Sequence, residues 1–427
     1  MVTPVRAGRL KHFLKELLMN GYFGVMRAPR AIHFGCGQRL GLGRAAALLG
    51  RRALVCTDAR FAASKDMEPL LASLSRQGMK VEVFADTQPE LPVDGIHACV
   101  ARFRSFAPDV VVGLGGGSCM DLAKLVALLL THKGALDTYY GEFKVPGPIT
   151  PVIAMPTTAG TGSEVTPVAV VGDDARDLKV GISSPYLIPH TAICDPELTV
   201  TCPRGLTAIS AADALTHAIE AFTAVQHPQT AELAMERVFV GKNLFSDQYA
   251  LQAIQSIVAW LPRSIEDGNN MQARTGLMYG AVCAGLAFGI AGTAAAHAVQ
   301  YPVGALTHTA HGLGVATLLP YVMAFNASHC TDALAQIASV LGITGDSVQA
   351  RANATIDTID ALLQGVGIPR TLAELGVPAD RLHWIAEQSM KSARLVNNNP
   401  RPLDVAGVTE IVTAAFAGTR QPMESFA

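Results

Sequence analysis

Along its first half the chain alternates short β-branched apolar runs with stretches whose apolar residues recur at helical spacing. "RALVCTD" closes on Asp58, "KVEVFAD" on Asp86 and "PDVVVGLGGGS" on Ser118. Stretches such as "DGIHACVARFRSF" lie between them, and "PVIAMPTTAGTGSE" and "TAICDPEL" add two more strands. This alternation predicts βαβ units and a parallel sheet. After Pro203 the pattern changes. "GLTAISAADALTHAIEAF", "DQYALQAIQSIVAWL", "ARTGLMYGAVCAGLAFG" and "TIDTIDALLQGVG" carry Ala and Leu at helical spacing. The predicted division is an extension over 1–30, an α/β domain over 31–203 and an all-α domain over 204–427. No fixed-period repeat or low-complexity tract interrupts it.

Composition narrows the function. The 427 residues are 50% hydrophobic and 16% charged, enough for a core in each of two or three domains. A formal net charge of −2 provides no basic field for nucleic acid. Apolar runs such as "AKLVALLL" are too short to span a bilayer. The basic, partly apolar start "MVTPVRAGRLKHFLKELLMNGYFG" has no long apolar core or small-residue cleavage site, which argues against a signal peptide and suits an amphipathic helix. Eight scattered cysteines form no CxxC pair and read as reduced thiols of a cytoplasmic protein.

The chemistry gathers in three places. In "VVVGLGGGSCMDLAK" a strand runs into Gly115, Gly116 and Gly117, and Ser118 opens a helix. Glycines allow close backbone approach, and a helix N-terminus offers free N–H groups to a phosphate. The spacing is not GxGxxG, so a pyrophosphate cradle and a plain tight turn both fit. Asp58 is either the acceptor for an adenosine ribose 2′-OH, repelling a 2′-phosphate, or an ordinary strand-end acid. "PTTAGTGSE" offers the hydroxyls of Thr157, Thr158, Thr161 and Ser163, as a ribose–nicotinamide wall or as a capping loop.

The third place is metal-like. "AADALTHAIEA" sets Asp213 and His217 four apart, one turn along a single helix face. "AAAHAVQYPVGALTHTAHG" adds His297, His308 and His311. One Asp and three His (213, 217, 297 and 311) make a complete set for a divalent first-row metal, Fe(II) or Zn(II). His308 is left over, as an active-site proton carrier or a polar loop residue.

These residues resemble the iron-containing (group III) alcohol dehydrogenases, relatives of lactaldehyde reductase and propanediol dehydrogenase. The resemblance covers residues 30–420 and rests on "GGGSCMDLAK", "MPTTAGTGSEVT", "DPEL", "DALTHAIEA", "HAVQYPVGALTHTAHG" and "NNNPRP" in that order. It implies a Rossmann-like NAD-binding domain followed by an all-helical metal-binding domain. It implies metal ligation by Asp213, His217, His297 and His311, with iron ahead of zinc. It implies cofactor contacts at Asp58, Gly115, Gly116, Gly117, Ser118, Thr157, Thr158, Thr161 and Lys179; Asp121 and Ser163, in the same motifs, are placed with them. Two departures stand out. Tyr301 occupies a position where a histidine is common, as a proton relay or as a pocket wall, and Ala211 stands where a glycine is common. Pro302, directly after Tyr301, predicts that the helix carrying His297 ends there.

The function implied is reversible, NAD-linked oxidation of a small alcohol at an interdomain cleft. The metal acts as a Lewis acid, and hydride passes to the nicotinamide. A homo-oligomer is expected, with neither nucleic acid nor membrane as partner. The alternatives are a hydroxyacid–oxoacid transhydrogenase, a maleylacetate reductase-like enzyme, which needs no full ligand set, and a non-catalytic NAD-binding subunit.

Overall fold

The valine runs of the first half form strands because β-branched side chains pack well on a pleated, covered surface. In the computed structural model, which describes residues 23–173 and 178–420, six of them build one parallel sheet. Its strands are β1 (Ala31–Phe34), β2 (Arg52–Cys56), β3 (Lys80–Phe84), β4 (Val110–Gly115), β6 (Val152–Pro156) and β9 (Thr191–Cys194). Their order across the sheet is β1-β9-β6-β4-β2-β3. Val110, Val111, Val112 and Leu114 of the central β4 are fully buried, each stabilising the fold by about 1.5–3 kcal/mol.

Chain order reverses between β2 and β4. From β2 the chain steps outward to β3, then returns to β4 on the other side. Such a switch opens a crevice at the carboxyl ends of the strands. Asp58 follows β2, Gly116 follows β4 and Thr157 follows β6, so the sheet delivers all three to one edge. The helix after β4, α2 (Gly117–Thr131), lies hard against its strand: a Cβ on Gly113 would come 2.8 Å from Met120 Cα. The preceding crossover helix is α1 (Val93–Phe103).

A second, three-stranded sheet has no counterpart in the expected pattern. It orders β5 (Gly141–Glu142), β8 (Leu178–Ser183) and β7 (Val168–Asp173), the last two antiparallel.

From Arg204 onward the chain is helical. The elements around the site are α3 (Arg204–Thr223), α4 (Leu244–Glu266), α5 (Met271–Ala291), α6 (Ala295–Thr307) and α7 (His311–Asn326). Ala211, Ala212, Ala214, Ala218 and Ala221 leave α3 thin enough to be enclosed by its neighbours. By length and composition α5 alone, among the described residues, would cross a membrane, yet 83% of its apolar window is buried within the protein. It is a core helix here.

Two sequence expectations meet the structure differently. Pro302 was expected to end its helix at Tyr301, but α6 continues through it to Thr307. A helix absorbs an internal proline when tertiary packing outweighs the lost hydrogen bond, and both Pro302 and Val303 are buried. The expected amphipathic N-terminal helix falls mostly on residues outside those described. From Phe23 the extension lies against the helical half, with Arg27 Nη1 donating to the Val238 carbonyl at 2.6 Å.

Candidate active site

The two halves face each other across a cleft of ≈ 1180 Å³. On the sheet side, Gly116 caps α2 and turns the free N–H groups of the helix toward the cleft. A Cβ on Gly116 would meet only Thr158 Oγ1, at 3.9 Å, so this backbone is open to a ligand. Gly117 is closed from behind, its virtual Cβ 2.8 Å from Thr161 Cγ2. Gly115, at φ +150°, does not line the cleft; it makes the turn that lets Thr157 N–H reach its carbonyl at 2.9 Å.

Asp58 reaches the cleft and also caps a helical turn, accepting from Phe61 N–H at 2.8 Å. Ser118, Thr157, Thr158 and Thr161 line the same wall. Ser163 Oγ donates to Asp121 Oδ1 at 2.5 Å, and Asp121 Oδ2 accepts from Val170 N–H at 2.9 Å. That carboxylate therefore braces the threonine loop against β7. Lys179 projects from β8 into the cleft and pairs with Glu90.

On the helical side, Asp213, His297 and His311 each offer a ligand atom, all within 4.8 Å of one another. Asp213 Oδ1, His297 Nε2 and His311 Nδ1 are buried with no hydrogen-bond partner among the described residues. Unsatisfied buried polar atoms are costly, and three on one close Asp–His cluster fit a cation. His217 stands beside the trio. Its Nε2 is 3.6 Å from Asp213 Oδ1, and its ring stacks 4.8 Å from that of His297 and 4.1 Å from that of Phe288. Burial holds His217 and His311 well below the ordinary imidazole range, so both stay neutral with a lone pair available. Burial likewise pushes the Asp213 carboxyl up to about 6, a penalty that a cation would offset.

Sequence reasoning missed Glu220, although it lies seven residues after Asp213, on the same face of α3. Its Oε2 accepts from His297 Nδ1 at 2.5 Å and from Ala294 N–H at 3.0 Å; its Oε1 accepts from Ala296 N–H at 2.7 Å. This carboxylate fixes the His297 tautomer, leaving the Nε2 lone pair toward Asp213, 3.7 Å away. It also grips the otherwise uncapped N-terminus of α6. Arg394 and Phe288, both on the cleft wall, were missed as well.

Tyr301 lines the cleft with its ring 6.1 Å from that of His311. Burial raises its phenol above the ordinary range. His308 is not brought to the cleft wall. It ends α6 in the left-handed conformation at φ +55°, its N–H donating to the Gly304 carbonyl at 2.8 Å.

Comparison with known proteins agrees with this architecture. Residues 29–196 match the family described as "Iron-containing alcohol dehydrogenase", and residues 207–416 match "Fe-containing alcohol dehydrogenase family, C-terminal". The chain is 36% identical to a long-chain-alcohol dehydrogenase of Geobacillus thermodenitrificans, over 86% of this chain and 90% of that one. It is 33% identical to the NAD-dependent methanol dehydrogenase of Bacillus methanolicus, over 86% and 92%. A solved 1,3-propanediol oxidoreductase superposes with a TM-score of 0.86 at 32% identity, covering 92% of this chain and 100% of its own. On these matches across both halves, the chain belongs to the iron-containing alcohol dehydrogenases and is an NAD-linked alcohol oxidoreductase.

Proposed function

We propose that Asp213, His217, His297 and His311 hold one divalent metal, iron(II) ahead of zinc(II), in an enzyme that interconverts a small alcohol and its aldehyde. The observation that carries this is the close approach of Asp213, His297 and His311, each with an unpartnered buried atom, with Glu220 behind His297. When bound, the metal supplies Lewis acidity to the substrate oxygen and NAD supplies the hydride acceptor. The chain's own residues supply position. Asp58 receives the adenosine ribose, Gly116, Gly117 and Ser118 the pyrophosphate, and Thr157, Thr158, Thr161 and Lys179 the nicotinamide half. Gly115 and the Asp121–Ser163 pair hold that wall in shape. Phe288 and Tyr301 exclude water beside the histidines, and His308 ends its helix without entering the chemistry. The eight unpaired cysteines support a reducing, cytoplasmic setting. A homo-oligomer is proposed on family likeness.

The test is NADH oxidation by purified protein against a panel of small aldehydes, with metal content measured on the same sample. Turnover that is lost on chelation and regained with iron or zinc supports the reading. Metal-free protein that turns over at the full rate contradicts it.

A further inference from the structure

Arg394 is a cation on the cleft wall. Its Nη1 is buried and makes no hydrogen bond to any described residue. Its guanidinium lies 4.4 Å from the centre of the Phe239 ring, another cleft residue. Stacking of this kind uses the flat face of the group and leaves the in-plane N–H donors free.

The nearby carboxylates are engaged elsewhere. Glu220 accepts from His297, Ala294 and Ala296, and Glu142 accepts from Val238 N–H at 2.7 Å. They act on Arg394 through space, which helps a desolvated cation persist, but neither satisfies Nη1. Burial correspondingly lowers the affinity of the guanidinium for its proton. A guanidinium on the wall of a desolvated cleft, with one nitrogen unsatisfied, is suited to receive a ligand acceptor.

The position defines the ligand. A Cβ on Gly292 would lie 3.4 Å from Arg394 Nη1. Gly292 closes the end of α5, and Thr293 and Ala294 link it to α6, which carries His297 in its first turn. Arg394 also acts through space on the buried Tyr301 phenol, whose ring lies 6.1 Å from that of His311, so it shares the cleft wall with the Asp–His cluster. Lys391 and Ser392 line the same stretch of wall.

We infer that Arg394 binds an acidic tail on the substrate, so that the enzyme's preferred aldehydes carry a carboxylate, sulfonate or phosphonate a short linker from the carbonyl carbon. The planar fork of N–H donors matches two oxygens of such a group. The inference rests on the proposed reduction of small aldehydes at the Asp–His cluster and names the substrate class for it.

Two measurements separate failure of the inference from failure of that reading. In the first, the holoenzyme is assayed by NADH oxidation with 3-oxopropanoate, sulfoacetaldehyde, phosphonoacetaldehyde and neutral propanal. The wild type should favour at least one acidic aldehyde in kcat/KM, and the three acids rank the tail chemistries. Arg394→Gln should reduce that preference roughly 30-fold or more, with Arg394→Lys restoring part of it. In the second, 3-hydroxypropanoate and 1-propanol are titrated calorimetrically into the same proteins without turnover. Tighter wild-type binding of the acid, abolished by Arg394→Gln, supports the inference even if no aldehyde is reduced. Equal binding of acid and neutral alcohol overturns it, whatever the turnover. So does a wild-type preference for propanal over all three acids.

Discussion

Tyr301 has its ring beside His311, yet its phenol sits above its ordinary range because it is buried. A group that titrates above pH 10 is a poor proton relay at neutral pH. The wall role follows. Tyr301→Phe should leave kcat and its pH profile nearly unchanged, whereas Tyr301→Ala should alter which aldehydes are accepted. A fall in kcat of roughly 100-fold in the Phe variant would instead make the hydroxyl catalytic. Asp58 has two tasks, because it caps Phe61 as well as facing the cleft. Asn preserves the cap and deletes only the charge. Asp58→Asn should therefore narrow the preference for NAD over NADP by roughly 1–3 kcal/mol, read as the ratio of kcat/KM values. An unchanged ratio with a stable protein would remove Asp58 from the ribose site.

At the scale of elements, the site depends on how closely the helical half approaches the threonine loop. Gly162, at φ +64°, meets Gly285 of α5 so closely that a Cβ on Gly285 would lie 2.9 Å from Gly162 Cα and 2.6 Å from Val165 Cγ2. The backbone has no room to retreat. Gly285→Ala should cost about 1–3 kcal/mol in urea unfolding and weaken NAD binding, since the displaced loop carries Thr157 and Thr161. Unchanged stability and affinity would show that the contact is slack. Contacts of this kind also explain what the sequence could not convey. The strand–helix alternation, the glycine turn after β4 and the Asp213–His217 face of α3 were legible because each is written in local spacing. The β7–β8 pair was not, although "VAVVGDD" and "LKVGISS" alternate, because each is a short run lying between the longer motifs. Pro302 misled for a related reason: a proline's local tendency says nothing about the core that covers it. Glu220 was readable from its face of α3, but its role appears only once α6 docks against it. "NNNPRP" turns out to be structural in part, since Asn398 Nδ2 donates to the carbonyls of Ala291 and Thr293 at 3.0 and 3.1 Å and pins the turn between α5 and α6.

For the molecule as a whole, charges enclosed behind the cofactor wall make stability depend on pH. Lys124 is fully buried, its ammonium donating to the carbonyls of Thr166 and Val168 at 3.1 and 2.8 Å. Burial lowers its pKa to about 8 and raises that of buried Glu164 to about 7. A carboxyl raised from 4.5 to about 7 holds its proton longer in the folded chain than in the unfolded one. Its contribution to stability is therefore lost as pH rises through that window, by up to about 3 kcal/mol. Glu164→Gln removes this dependence. Urea unfolding at pH 5 and pH 8 should show the variant gaining on the wild type at the higher pH, and parallel behaviour would contradict the assignment. The central claim, that four side chains from three helices form one metal centre braced by Glu220, is tested most directly by elemental analysis of purified wild type, His297→Ala and Glu220→Gln. The wild type should carry roughly one iron or zinc per chain and His297→Ala almost none, while Glu220→Gln should bind the metal roughly 10–100-fold more weakly. Full occupancy in His297→Ala would contradict it.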